Sequence, residues 1–269
     1  MLLLRRLKLD LLMTGSVRKY IAYAFGEIVL LVIGILIALQ INDLYQERLD
    51  RQTEREFLAS MNRDLARDVS ELRAAVEGNE ILLKGLNDTL LLLAEPRNDN
   101  VWKRDLYIHG VKYTYWFIVA EFSRLTMAQL QFSGGMRLIT DPQVREAMLA
   151  YEQGLQTTQQ QSRDVMPYFH EVEESHKRLF ELQLSKRAME YIEQDYLNIL
   201  QPIDVFESLI PQGAYLSSND PLLIDDYYDD MLYYRTALNI LMLMYRQQLD
   251  QAESLSKLIE TQLQVSSRP

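Results

Sequence analysis

The chain has 269 residues, no Cys, only 10 Gly and 7 Pro, and a formal net charge of −10. Without Cys there is no disulfide, thiolate metal site or thiol nucleophile, and so few turn residues argue against a sandwich or barrel. The charge is uneven. Residues 1–20 hold Arg5, Arg6, Lys8, Arg18 and Lys19 against Asp10 alone, a net +4, which leaves 23 basic and 37 acidic residues, a net −14, for the rest. An acidic body of that kind repels phosphate backbones, so nucleic acid is not an expected partner.

Residues 2–12 (LLLRRLKLDLL) have the pattern of a short amphipathic helix, with Leu toward lipid tails and basic residues toward headgroups. Residues 21–41 (IAYAFGEIVLLVIGILIALQI) follow, with Glu27 as their one ionisable residue. About 20 apolar residues in a helix cross a hydrocarbon core. A cleaved leader has a shorter apolar run ending in small residues, and Ala38-Leu39-Gln40 matches that pattern poorly. The segment therefore reads as a retained membrane helix. Lys and Arg flanking a span stay in the cytoplasm. Residues 1–20 are then cytoplasmic, 21–41 transmembrane, 42–264 a periplasmic helical domain, and 265–269 a disordered tail. The expected place is the inner membrane, with the lipid bilayer itself as a partner.

Two features of the span go beyond anchoring. Ala22, Gly26, Gly34 and Ala38 recur at multiples of four, a spacing that lets two helix backbones approach closely, although Gly and Ala are common in spans in any case. Glu27 is an intramembrane acid. Such groups snorkel to the interface, stay protonated, pack against another helix or, least often, conduct ions.

The stretch Lys19-Tyr20, Tyr23-Ala24-Phe25-Gly26-Glu27-Ile28 and Ile33-Gly34-Ile35-Leu36-Ile37-Ala38-Leu39-Gln40-Ile41-Asn42 resembles the opening motif of a family of Bacteroidota single-span membrane proteins built on a domain of unknown function. A looser patch is similar as well: Thr126-Met127-Ala128-Gln129-Leu130, Ser133-Gly134, Leu138-Ile139 and Tyr151. The resemblance covers most of residues 1–155. After the span this chain has Asn42-Asp43-Leu44-Tyr45-Gln46-Glu47 where the family carries N-x-W-N-E, with Tyr45 standing for the interfacial aromatic. The resemblance implies topology and origin, and no activity.

Beyond residue 54 the apolar positions follow a helical period. Leu58, Met61, Leu65, Val69, Leu72, Val76, Leu83, Leu86, Leu90 and Leu93 form a narrow seam of coiled-coil type. No Pro interrupts residues 21–93, so one long helix is expected, with Gly78 and Gly85 as sites where it could break. Residues 95–100 read as a loop. Residues 101–125 are rich in aromatics (Trp102, Tyr107, Tyr113, Tyr115, Trp116, Phe117 and Phe122), more often core than partner surface, and periodicity leaves 111–119 open between strand and helix.

Ser133-Gly134-Gly135 reads as a turn, and Asp141-Pro142 as an N-cap with Pro at the first helical position. That helix is expected to end or kink at Pro167, with another over about 168–200. Pro202, Pro211 and Gly213 mark loops up to Asn219. Asp220-Pro221 repeats the start signal, for a last helix over about 222–263. Its seam runs Leu238, Met242, Tyr245, Leu249, Ala252, Leu255, Ile259 and Leu263. The fold expected is all-α: one transmembrane helix and an elongated bundle in which the last helix lies antiparallel to the first.

Chemical motifs are scarce. Glu173-x-x-His176 is half of a di-iron helix motif without its second half, and reads as ionic residues facing solvent. Asp225 to Asp230 places carboxylates at i and i+4, as an oxygen-rich cation site would, but without a Gly-containing calcium loop they read as acids near a helix start, where the macrodipole favours them. No phosphate loop, dinucleotide fingerprint or nucleophile elbow is present. The sequence implies no catalytic residue, cofactor or metal. The first functional expectation is a non-catalytic, membrane-anchored interaction or scaffold subunit of the cell envelope, assembling with itself or an envelope protein. A small-molecule sensing module acting through a separate signalling partner is the alternative. An ion-coupled stator subunit, dependent on Glu27, is the weakest.

Overall fold

The computed structural model describes residues 15–265 apart from Tyr115, with side chains from residue 21 onward except Ala22. Arg5, Arg6, Lys8, the 2–12 segment and residues 266–269 lie outside the described residues, as do the side chains of Arg18 and Lys19. Among the described residues the protein is all-helical. The helices are α1 (Gly15–Ala94), α2 (Asn100–Tyr113), α3 (Leu125–Phe132), α4 (Pro142–Leu179), α5 (Lys186–Gln194), α6 (Ile203–Leu209) and α7 (Pro221–Val265), joined in part by short 3-10 turns.

The chain divides into an N-terminal unit, Met1–Glu56, and a C-terminal unit, Phe57–Pro269. The first contains the apolar part of α1. From Phe25 to Ile41 every large apolar side chain is exposed, among them Leu30 at 75% and Phe25 at 67%. These residues point to all sides of the helix, so no polar face remains to meet water. This helix is long and apolar enough to cross a membrane.

In the C-terminal unit the rest of α1, α4 and α7 pack side by side. Arg73–Glu253 (2.5 Å), Glu80–Arg246 (2.6 Å) and Ser256–Asn62 (2.7 Å) show that α1 and α7 run antiparallel. Gln248–Tyr151, the Tyr168–Tyr233 ring pair and Arg178–Asp226 show the same for α4 and α7. Two apolar clusters fill the interior. The smaller contains Leu58, Met61, Leu65, Met127, Leu130, Ile139, Tyr151 and Ile259; the larger holds the remaining helices together around Leu86, Tyr107, Phe180, Phe206 and Tyr234.

Helix α1 passes Gly78 and Gly85 without a break. Both glycines are buried and make room for neighbours: a Cβ on Gly78 would lie 2.9 Å from Ile118 Cγ1, and one on Gly85 only 2.2 Å from the Tyr113 ring. The seam also sits one residue earlier than hydropathy alone suggests. Val69, Val76 and Leu83 are half-buried, whereas Asp68, Ala75, Asn79 and Leu82 are buried. In α7, Gln248 is likewise buried and Leu249 half-buried. Polar residues hold these interior positions because each meets a specific partner, described below.

The Asp141 carboxylate accepts from the backbone N–H of Gln143 and Val144, and that of Asp220 from Leu222, so both start signals are used. Helix α4 does not stop at Pro167 but runs on to Leu179. A proline inside a helix costs about 3 kcal/mol, and full burial of Val165, Val172 and Leu179 on either side returns about 2 kcal/mol each. Nor does one helix cover 168–200. Phe180 turns extended, packs against His176, Tyr107 and Tyr227, and forms an antiparallel bridge with Leu216. Glu181 and Asp195 then cap 3-10 turns with their own carboxylates, accepting from Gln183 N and Leu197 N. The loop region expected before Asn219 contains the short helix α6.

Candidate functional site

Residues 111–119 are neither one strand nor one helix. Helix α2 ends at Tyr113, and 116–124 have no regular secondary structure. From Ile118 to Glu121 the segment alternates like a strand, with Ile118 and Ala120 buried and Val119 and Glu121 exposed, whereas Trp116 is exposed outside that alternation. Buried backbone N–H and C=O groups must find partners, and here side chains supply them. Asn79 of α1 donates from Nδ2 to Ile118 O (2.7 Å) and accepts from Ile118 N at Oδ1 (2.8 Å). Tyr234 donates its hydroxyl to Trp116 O (3.3 Å), and the Tyr245 hydroxyl accepts from Ala120 N (3.1 Å), both from α7.

At the far end of the segment two acids of α1 meet the start of α3. Asp68 Oδ1 accepts from Ser123 N (2.8 Å) and Asp64 Oδ2 from Thr126 N (3.2 Å). Tyr151 of α4 completes the buried pair by donating to Asp68 Oδ2 (2.8 Å). Burial pushes the Asp68 carboxyl above its ordinary value, opposed by these two donors, and it drives the Tyr151 hydroxyl far upward. Arg124 pairs with Glu152 of α4, whose side chain is nearly buried. The Thr126 N–H and the Tyr151 hydroxyl thus each bond one of two neighbouring α1 carboxylates, Asp64 and Asp68. We refer to 116–124 as the strap.

Replacing Tyr245 by Phe keeps the ring and removes the acceptor for Ala120 N. The C-terminal unit should lose about 1 kcal/mol, with faster amide hydrogen exchange at Ala120; unchanged exchange there would mean the contact does not hold the strap.

Lys112, at the end of α2, is buried. Its Nζ donates to the carbonyls of Ile199 (2.6 Å) and Gln201 (2.5 Å) and lies 4.6 Å from the centre of the Phe206 ring. Loss of hydration lowers its pKa to about 8. It ties the 3-10 turn Tyr196–Leu200 to α2.

His176 corrects an expectation: it faces the core, not solvent. Its Nδ1 lies 3.4 Å from the Tyr227 hydroxyl and 3.5 Å from Thr114 Oγ1, and its ring is 4.4 Å from that of Phe180. Glu173, three residues away, stays on the surface and pairs with Lys177 at 2.9 Å. Phe180 explains the difference, because packing its ring inside draws the adjacent helical turn with it. Of the acids 225–230, Asp225, Asp226 and Asp229 are exposed, while Tyr227 between them is buried. Among the described residues no group of three or more His, Asp or Glu is placed to hold a metal ion.

In the apolar helix, Glu27 is exposed, and a Cβ added to Gly26 or Gly34 would touch nothing within 4 Å. Ala38 is exposed too. No family model, curated protein or solved structure matches the chain.

Several clefts open on the surface of the C-terminal unit near the strap and α2, and two of them carry more than one acidic side chain beside aromatic or imidazole rings. One, of about 410 Å³, is bordered by Asp88, Asp105, His109 and Glu207. Arg104 pairs with both Asp105 (3.8 Å) and Glu207 (3.2 Å), so much of its negative charge is already met. The other, of about 600 Å³, lies between Trp116 of the strap and the end of α5, with Met189, Ile192, Glu193, Asp195 and Tyr196 around it. The aromatic content of 101–125 points to core, yet Trp116 is 47% exposed.

Proposed function

We propose that the protein is a non-catalytic, membrane-anchored interaction or scaffold subunit of the bacterial cell envelope, inserted in the inner membrane by residues 21–41 and assembling as an oligomer or with an envelope protein. The observation that carries this reading is the uncovered apolar helix. Its large side chains are exposed all round, and exposed apolar area on that scale costs roughly 25 cal/mol per Å² in water. A bilayer removes the cost. The basic residues before the span support a cytoplasmic 1–20 and a periplasmic 42–264, and the resemblance to the Bacteroidota family supports the same topology.

The polar interior of the C-terminal unit supports a structural role over a catalytic one. Asp68, Asn79, Lys112, Tyr151 and Tyr245 each spend their hydrogen bonds on backbone groups or on one another. The spacing of Ala22, Gly26, Gly34 and Ala38, with open space beside both glycines, fits a helix that meets a second helix in lipid. Residues 42–56 and the C-terminal helical unit then supply further surface in the periplasm.

Crosslinking in native membranes tests the assembly. A discrete oligomer or one defined heteromeric product is expected, and Gly34→Leu should reduce its yield severalfold by blocking close backbone approach. A monomer in native-like lipid that captures nothing would defeat the reading. The second reading, a ligand-binding module working through a separate signalling partner, is favoured by one observation, the cleft of about 600 Å³ beside the strap. That volume lies within the range of small-molecule sites.

A further inference from the structure

We propose that the cleft between Trp116 and Tyr196 binds a small organic cation with an apolar body. The proposal rests on the ligand-binding reading and is independent of how the protein assembles in the membrane.

Two large aromatic side chains stand at the cleft with much of their surface bare, Trp116 at 47% and Tyr196 at 60%. Exposed aromatic faces carry negative electrostatic potential and attract cations, Trp most strongly. Met189 and Ile192 supply an apolar, polarisable floor. Glu193 and Asp195 add carboxylates at the end of α5, and among the described residues the lining contains no Lys, Arg or His. Neither carboxylate takes part in an ion pair formed among the described residues. The charged groups of the lining, which otherwise adds the neutral amide of Gln194, repel an anion. A fully hydrated metal ion would gain nothing from the apolar floor. A positive head joined to a hydrocarbon or aromatic body satisfies both halves.

The walls are also held in place before any ligand arrives. Trp116 has its carbonyl fixed by Tyr234, and two residues later Asn79 fixes both backbone groups of Ile118. On the opposite side, Asp195 accepts from Leu197 N and Asn198 Nδ2 donates to Tyr191 O, while Lys112 grips Ile199 O. A rigid wall loses little entropy on binding. Because Asp195 already caps the turn, Glu193 is the carboxylate free to turn toward a ligand.

The test uses the full chain in lipid nanodiscs and tryptophan fluorescence, excited where tyrosine does not absorb. Benzyltrimethylammonium, 3-phenylpropionate and benzyl alcohol are titrated separately as cationic, anionic and neutral probes of similar size. The expected result is saturable quenching by the cation alone. It should vanish in Trp116→Phe and weaken about fivefold or more in Glu193→Gln and in Tyr196→Leu. Added salt should weaken it further. Saturable binding of the anion or the neutral probe at Trp116 without the cation would overturn the proposal while leaving a ligand site in this cleft. No saturable response from any probe would overturn the proposal and remove the support this cleft gives to the ligand-binding reading. Cation binding undiminished by Glu193→Gln and Tyr196→Leu would place the interaction elsewhere and sink it equally.

Discussion

Gly85→Ala should destabilise the C-terminal unit by about 2 kcal/mol, opposite to what the helix alone would predict. In an exposed helix interior the same change adds about 1 kcal/mol of stability, because Ala loses less backbone entropy than Gly. Here the new methyl carbon would fall 2.2, 2.3 and 2.4 Å from three atoms of the Tyr113 ring. That ring cannot simply step back. It is buried against His109 at 5.5 Å, with Lys112 Nζ 4.9 Å from its centre, and Lys112 is itself tied to two carbonyls. Forcing an extra carbon into such a site costs about 1–3 kcal/mol, and the near-coincidence of atoms places this site at or beyond the top of that range.

Urea unfolding of the chain in micelles, followed by near-ultraviolet circular dichroism, gives the number. Tyr113→Leu supplies the cross-check. Each single change should be costly, and the double variant should cost at least 1 kcal/mol less than their sum, because the clash needs both partners. A stabilised Gly85→Ala would show that the ring and helix are not so closely packed. Gly26→Ala and Gly34→Ala, which meet nothing within 4 Å, should leave the unfolding of the C-terminal unit unchanged.

This glycine shows where the sequence was readable and where it was not. A Gly in the middle of a long apolar seam signals either a break or a close approach, and only the partner, 28 positions away, decides between them. The helix starts were legible because their chemistry is local: Asp141-Pro142 and Asp220-Pro221 carry cap and first-turn residue side by side. The apolar helix was legible from length and composition alone. The end of α4 was not. No Gly or Pro stands near Phe180, and the chain turns there because its ring is better buried than a further helical turn.

The strap was the largest omission, and its trace was present. On α1 the steps of three and four run Leu58, Met61, Leu65, Asp68, Leu72, Ala75, Asn79, Leu82, Leu86. Choosing the apolar neighbour at each step replaced Asp68 with Val69 and concealed Asn79. A polar residue on an interior seam asks what it bonds to; in both cases the answer is a strap backbone group. The carboxylates of Asp64 and Asp68 and the hydroxyls of Tyr234 and Tyr245 are engaged in holding an extended segment in a helical core.

His176 should make the C-terminal unit sensitive to acid. Burial, and to a smaller degree the charge of Lys177, lowers its pKa from 6.5 to about 3. Among the groups facing it are the Tyr227 hydroxyl from α7, Thr114 at the end of α2 and the Phe180 ring, and none of these three is an anion. In the unfolded chain the same imidazole takes up a proton as pH falls below about 6.5. Between there and about pH 3 the unfolded state therefore binds more protons than the folded state. Stability falls as pH falls, by about 1.4 kcal/mol per unit at the steepest and about 4 kcal/mol across the window, and it levels off once the folded form is protonated too.

Many carboxylates titrate in the same range, so the measured quantity is the stability of the natural chain minus that of His176→Gln at each pH. Gln removes the titration and retains polar atoms, and carboxylate contributions cancel in the difference. Whatever the substitution costs near pH 7, that cost should shrink steadily on acidification, and the neutral variant should become the more stable protein if its cost at pH 7 is below about 4 kcal/mol. A difference that stays constant from pH 6 to pH 4 would mean that His176 is protonated in the folded chain, and that the contact between α2, α4 and α7 is looser than this packing implies.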